Sequence, residues 1–133
     1  MDRLKERLNV AEKALRSLLD LPLAKNVDDI VRDAAIQRFE YSFEAVWKAA
    51  QLYLRETEGL EQGSPKSVVR ASLQVGILTD GQARLALELV DDRNLTVHTY
   101  NEELAKRIFS HLQSYAELMT EWLRVMQAKS INP

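Results

Sequence analysis

The chain has 133 residues, and its net charge of −2 excludes the global basic excess of a strong non-specific nucleic-acid binder. It contains no cysteine, which excludes disulfides, thiolate metal sites and cysteine nucleophiles. The chain has only 4 glycines and 3 prolines, the residues that most favour turns, which is few for the many turns of a β fold. Length and composition therefore predict one all-α domain spanning residues 1–133.

The sequence offers no candidate for a membrane span or a signal peptide. No apolar run approaches the ~20 residues that a spanning helix needs. The first residues are charged and lead into an amphipathic pattern, without the apolar core of a signal peptide. We therefore expect a cytoplasmic protein that makes no membrane contact.

The N-terminal half predicts two long helices. Apolar residues spaced by four and three predict the first over residues 2–20. A second apolar stripe predicts a long central helix over residues 28–58, with Gly59 as its stop. Asn26 or Asp28 is expected to cap this second helix.

Two shorter helices are predicted next. Ser64-Pro65 is typical of an N-cap followed by proline in the first turn, and it opens a helix that reaches about Gly76. Thr79 or Asp80 caps a fourth helix that runs toward Arg93.

The last helix is predicted to begin near Tyr100. Thr99 is followed three residues later by Glu102, the spacing of a capping box. Apolar positions then continue at spacings of four and three, and the helix is expected to fray over residues 130–133. Together the elements predict an up-and-down four-helix bundle with one short additional helix.

One stretch at the junction of the last two predicted helices contains residue types that can catalyse a reaction. Residues 93–100 read Arg-Asn-Leu-Thr-Val-His-Thr-Tyr. An arginine is a permanent cation that grips phosphate with a fixed fork of donors. A histidine has an ordinary pKa near neutrality, so it can both accept and donate a proton. This is a minimal set for cleaving RNA, whose 2′-hydroxyl supplies the nucleophile, and it requires no metal ion or cofactor.

The spacing alone does not bring the motif together. In a continuous helix, residues seven apart share a face, as Arg93 and Tyr100 would, whereas residues five apart point about 140° from each other. Arg93 and His98 therefore need a break near His98–Thr99, which the β-branched residues there favour, or a two-fold partner that supplies a second copy of the motif.

A purely structural reading of the motif is also open. In that reading Arg93 pairs with Asp91, Asp92 or a neighbouring helix, while His98 caps a carbonyl and Tyr100 packs against the fold.

Two other polar features have simpler interpretations. Glu40, Glu44 and Lys48 are spaced by four, which predicts a solvated helix face with an ion pair. If that face met the motif instead, Glu40 or Asp33 would be placed to tune His98. His111 has no second ligand at metal spacing and is expected at the surface or boundary of the fold.

Nearly the whole chain, from about residue 4 to residue 126, resembles HEPN domains, and in particular the small HEPN proteins paired with minimal nucleotidyltransferases (MNT). The HEPN signature is an arginine, a polar residue, a few variable positions and a histidine, to which the MNT-linked group adds a tyrosine two residues later. Three stretches carry the resemblance: residues 36–48, reading IQRFEYSFEAVWK; Ser64-Pro65-Lys66 with the Val68-Val69-Arg70 helix; and residues 92–101, DRNLTVHTYN.

The resemblance implies an all-α homodimer whose two motifs face one cleft. It implies metal-independent RNA cleavage by Arg93 and His98, with Asn94 orienting the pair or binding the phosphate. It further implies that a partner nucleotidyltransferase silences this toxin by attaching AMP to Tyr100. The alternative is a non-catalytic subunit that presents a nucleotide or other substrate to the transferase, with Arg93 as a phosphate anchor.

Overall fold

The computed structural model describes residues 2–131, and every regular element in that range is helical, which confirms the all-α prediction. The elements are α1 (Asp2–Leu19), α2 (Asp29–Glu58), α3 (Pro65–Gln74), α4 (Asp80–Leu95), a 3₁₀ turn (Thr96–His98) and α5 (Glu102–Ile131).

Contacts between side chains and backbone give the direction of the first two helices. The Ser42 hydroxyl donates to the carbonyl of Ala14, and the Arg38 guanidinium donates to the carbonyl of Ser17. A residue later in α1 thus contacts a residue earlier in α2, so the two helices are antiparallel. Arg93 at the end of α4 contacts Glu44, and Thr96 directly after it contacts Glu40, so α4 is antiparallel to α2. Arg32 pairs with Glu102 and Phe39 stacks on Tyr115, so α5 is parallel to α2. The four longer helices therefore alternate in direction, with α3 as the additional one.

The core is one continuous cluster to which every helix contributes. Helix α2 lies at its centre and packs on α1, α3 and α5. Burying a large apolar side chain stabilises a fold by about 1.5–3 kcal/mol. The largest side chains with almost no exposed surface are Trp122, Tyr53, Tyr115, Phe39 and Phe43.

Most predicted helix ends are confirmed. Asp28, one of the two candidates, caps α2 by accepting from the amide of Val31 at 2.9 Å. Gly59 follows with φ 69°, a left-handed conformation that a residue without a Cβ adopts at little cost. Ser64 and Thr79 cap α3 and α4, each within a capping box.

The predicted start of the last helix is wrong in detail. Helix α5 begins at Glu102, and the side chain of Asn101 accepts from the amide of Leu104 at 3.1 Å. The Thr99 hydroxyl instead donates to the carbonyl of Thr96, so it is not available to cap α5. A turn separates the two helices, which moves the capping position two residues along the chain.

The predicted fraying of α5 is not seen where it can be checked. The helix continues through Ser130 to Ile131, while residues 132–133 lie outside the described range. Within residues 2–131, none of the helices combines the length and the hydropathy that crossing a membrane requires.

Candidate functional site

The motif lies where α4 changes into a 3₁₀ turn, which confirms the predicted break. Thr96, the first residue of that turn, is buried. Its hydroxyl lies 2.6 Å from Glu40 Oε2 of α2 and 2.7 Å from the carbonyl of Arg93. A hydrogen bond to α2, the central helix, therefore fixes the turn at the position where α4 ends.

Arg93 extends from the last turn of α4 toward α2. One guanidinium nitrogen lies 2.5 Å from Glu44 Oε1, and the group sits 6.0 Å above the centre of the Phe43 ring. A second guanidinium nitrogen lies 3.5 Å from the Asn94 side-chain oxygen. Arg93 thus pairs with a neighbouring helix, as the structural reading predicted, yet it remains partly exposed and retains donors for an anion.

Glu44 is held from several sides. The Trp47 indole donates to it at 3.1 Å, and the Lys48 ammonium pairs with it at 3.2 Å. Partial burial by itself raises the pKa of the Glu44 carboxyl. The hydrogen bonds from Trp47 and Lys48 and the charge of Arg93 outweigh that effect, so the pKa lies below its ordinary value. Glu44 is therefore ionised at neutral pH and fixes the position of Arg93.

The prediction that Glu40, Glu44 and Lys48 form a merely solvated face is wrong in part. The predicted ion pair between Glu44 and Lys48 is present. However, both carboxylates also bind residues of the motif, because this face of α2 meets the end of α4. Among the residues the structure describes, no hydrogen bond or ion pair joins Glu40 or Asp33 to His98.

His98 and Tyr100 form a separate pair on the surface. His98 Nδ1 lies 3.3 Å from the Tyr100 hydroxyl, and the two rings meet edge to face at 5.8 Å between their centres. Tyr100 is 84% exposed, so the expectation that it packs against the fold is wrong. His98 interacts with this hydroxyl instead of capping a carbonyl.

The motif forms two separate hydrogen-bonded groups, one at Arg93 and one at His98 and Tyr100. An open groove with room for about 530 Å³ lies beside the motif, and Arg93 and Asn94 line it. His98 and Tyr100 are not among its lining residues, and no hydrogen bond joins them to Arg93 within residues 2–131. The 3₁₀ turn breaks the helix that would have aligned Tyr100 with Arg93, and the placement of Tyr100 beside Arg93 stays a prediction.

A buried carboxylate next to Arg93 was missed by the sequence analysis. Asp92 is 7% exposed and points the other way, toward α5. It accepts from the Tyr115 hydroxyl at 2.6 Å, lies 2.9 Å from His111 Nδ1 and pairs with Arg107 at 3.4 Å. Because Asp92 and Arg93 bind opposite neighbours, the end of α4 is clamped between α2 and α5.

The Tyr115 hydroxyl behaves as a fixed donor in this cluster. Burial raises its pKa far above the ordinary value, and the hydrogen bond and charge of Asp92 raise it further. The sequence signal was a polar stripe with residues one turn apart in α5, at Arg107, His111 and Tyr115. His111 is half-exposed, as expected for a boundary residue, but its partner is Asp92.

Asp92→Ala is expected to lower the free energy of unfolding by about 2 kcal/mol, because it leaves the buried Tyr115 hydroxyl without an acceptor. Asp91→Ala is the matched control. Its carboxylate is exposed and pairs with Lys66 at the surface, so the loss there is below about 1 kcal/mol. Urea unfolding of the two variants measures the difference, and equal losses would contradict the role given to Asp92.

Among the side chains of residues 3–130, no three from His, Asp and Glu are arranged to hold a metal ion.

Comparison with known proteins places the chain among proteins of this architecture. Residues 6–128 match the family described as nucleotidyltransferase substrate binding protein like. A crystal structure of a protein from Thermus thermophilus is 59% identical, covers 87% of this chain and 98% of its own, and superimposes with a TM-score of 0.85.

Two further relatives carry functional descriptions. A Haemophilus influenzae protein described as a probable ribonuclease HepT is 28% identical over 93 residues, which is 67% of this chain and 62% of that protein. The structure of a tri-AMPylated Shewanella oneidensis HEPN toxin in complex with an MNT antitoxin is 17% identical. It covers 96% of this chain and 98% of its own, with a TM-score of 0.78.

Proposed function

Because this chain belongs to the nucleotidyltransferase substrate binding protein-like family and has the HEPN-type fold, we propose that it is a ribonuclease toxin paired with an MNT-type nucleotidyltransferase. The observation that carries the proposal is a partly exposed arginine in an open groove, next to a junction that presents an exposed histidine. The Haemophilus influenzae relative supports the same activity. The cytoplasm supplies both the RNA and the nucleotide that this function requires.

In the proposed reaction, the 2′-hydroxyl of RNA attacks the adjacent phosphorus and the bond from phosphorus to the 5′-oxygen breaks. The products are a 2′,3′-cyclic phosphate and a 5′-hydroxyl. Arg93 binds the phosphate and stabilises the charge that develops on it, while Asn94 orients the guanidinium. His98 removes the proton of the 2′-hydroxyl or delivers one to the leaving oxygen. No metal ion takes part in these steps.

A homodimer supplies the proximity that one chain lacks. Val97, a large apolar side chain within the motif, is 71% accessible and lines the groove at Arg93. Exposed apolar surface next to an incomplete site is typical of an interface. We propose that two copies pair across this surface, so that His98 of one protomer faces Arg93 of its partner.

Tyr100 is the proposed AMP acceptor. Its hydroxyl is on the surface, where a transferase can reach it, and it lies 3.3 Å from His98 Nδ1. AMP on that oxygen would place bulk and negative charge directly against His98, at the entrance through which RNA phosphate must pass. Modification of Tyr100 thereby silences the toxin.

One experiment tests both halves of the proposal. Unmodified protein is assayed for RNA cleavage before and after treatment with the partner transferase and ATP, beside Tyr100→Phe. Cleavage by the parent should disappear as its mass rises by one AMP, whereas Tyr100→Phe should stay active and gain no mass. Silencing of Tyr100→Phe to the same extent would contradict the role of Tyr100.

The alternative function is a nucleotide- or substrate-binding subunit of the transferase. It is favoured by the groove itself, because Arg93 lines it within a single chain without His98. If unmodified protein cleaves no RNA but binds ATP, and Arg93→Ala abolishes that binding, this alternative replaces the nuclease.

A further inference from the structure

Three hollows adjoin one another along α1 and α2. The groove at Arg93 shares Tyr41 and Glu44 with a second hollow of about 500 Å³. That hollow in turn shares Arg3, Arg7 and Lys48 with a third of about 150 Å³. They form a continuous track, which leads away from the motif between the two antiparallel helices.

The track follows one stripe of α2. Tyr41, Lys48 and Arg55 are spaced by seven residues, so they lie within about 20° of one another around the helix and cover about 21 Å along it. That length accommodates several nucleotides of a single strand.

The middle of the track is positively charged. Among the side chains of residues 3–130, none forms an ion pair with Arg3 or Arg7 of α1, so these two charges are available to an anion. Lys48 shares the single carboxylate of Glu44 with Arg93. Three cations therefore face two carboxylates here, those of Glu6 and Glu44, in a chain whose net charge is −2.

An aromatic ring stands where the first two hollows meet. Tyr41 is 43% exposed and lines both of them. Its hydroxyl lies 2.7 Å from Ser17 Oγ, and this hydrogen bond holds the partly exposed side chain against α1. Single-stranded nucleic acids bind where aromatic rings stack on bases beside cations that follow the phosphates.

We infer that this track, defined by Tyr41, Arg3, Arg7 and Lys48, binds the nucleotides that flank the scissile phosphate. One base stacks on Tyr41, and the next phosphates lie against the three cations. The ligand is single-stranded RNA, and the inference rests on the proposed ribonuclease function. It makes the enzyme prefer long single strands over minimal substrates.

The test compares two substrates, a dinucleotide and a 12-nucleotide single strand that contains the same cleavable step. The variant is Arg3→Glu with Arg7→Glu. The matched control is Lys5→Glu with Lys13→Glu. It reverses the charge of two exposed lysines that lie on the same helix but outside the track.

The arginine variant should cleave the long substrate with kcat/KM lowered at least about tenfold, and the salt dependence of log KM should flatten by about 1.4 for two lost phosphate contacts. Its cleavage of the dinucleotide should change less than about twofold, since the site at Arg93 is intact. The lysine control should resemble the parent on both substrates.

Equal cleavage of the long substrate by the arginine variant and the lysine control would contradict the proposal that the track binds RNA. So would a parallel loss on both substrates, because it would place the defect in the motif itself. A parent that cleaves neither substrate would refute the ribonuclease proposal, and the track with it, which separates that failure from the failure of the track alone.

Discussion

Arg93→Ala is expected to lower kcat/KM for RNA cleavage by about 10²–10³-fold. The substitution removes the donors that stabilise charge on the phosphate, and electrostatic stabilisation of this kind is commonly the largest contribution to rate. Arg93→Lys should recover only part of the loss, because an ammonium group cannot hold Glu44 and the phosphate with the planar fork of a guanidinium.

The fold should tolerate the change, which makes the kinetic result interpretable. Arg93 is partly exposed, and its pair with Glu44 lies near the surface, where such pairs contribute about 1 kcal/mol or less. Circular dichroism and urea unfolding are the controls. Cleavage by a folded Arg93→Ala protein within about threefold of the parent would contradict the role of Arg93.

His98→Ala is expected to lower cleavage by about 10²–10⁴-fold, the range in which a positioned general acid or base contributes. His98 is exposed and belongs to no buried cluster, so the variant should fold as the parent does. Removing the ring also leaves the Tyr100 hydroxyl without its contact, but that hydroxyl remains in water.

The chain provides a matched control, because it has two histidines. His111→Ala removes a ring that binds Asp92 on the opposite side of α4, so stability should fall while cleavage per folded molecule is retained. Cleavage that is lost equally in both variants, or retained in His98→Ala, would contradict the assignment. The comparison separates a chemical role of histidine from a structural one.

The helices and their ends were predictable because local physics determines them. Apolar spacing gives the length of α1 and α2, and the caps at Asp28, Ser64 and Thr79 are short-range hydrogen bonds. The break after α4 was also predictable, since β-branched residues weaken a helix. The start of α5 differs from the prediction because the Thr99 hydroxyl donates to the carbonyl of Thr96 in the turn.

The partners within the site were not predictable, because they depend on how distant helices are oriented. Glu44 and Arg93 are 49 residues apart, and the spacing of the α2 stripe does not say which helix faces it. Asp91 and Asp92 are identical neighbours in sequence, yet one pairs with Lys66 at the surface and the other is buried against α5. The rotation of α4 about its axis decides between them.

The different hydrogen-bond partners of Arg93 and His98 also follow from tertiary structure. A helix continued through residue 100 would have aligned Tyr100 with Arg93. The turn presents His98 and Tyr100 at the surface as a pair that is not among the residues lining the groove at Arg93. The proposed homodimer would bring a second copy of the motif to Arg93, one of the two alternatives that the spacing left open.

The most direct measurement is cleavage of a defined single-stranded RNA in EDTA by protein whose mass shows that Tyr100 carries no AMP. A second substrate has a single 2′-deoxynucleotide at the cut position. We expect the RNA to be cut into a 2′,3′-cyclic phosphate and a 5′-hydroxyl, and the 2′-deoxy substrate to resist at that step. No cleavage of the RNA, or cleavage at the 2′-deoxy position, would contradict a metal-independent ribonuclease that uses the 2′-hydroxyl as its nucleophile.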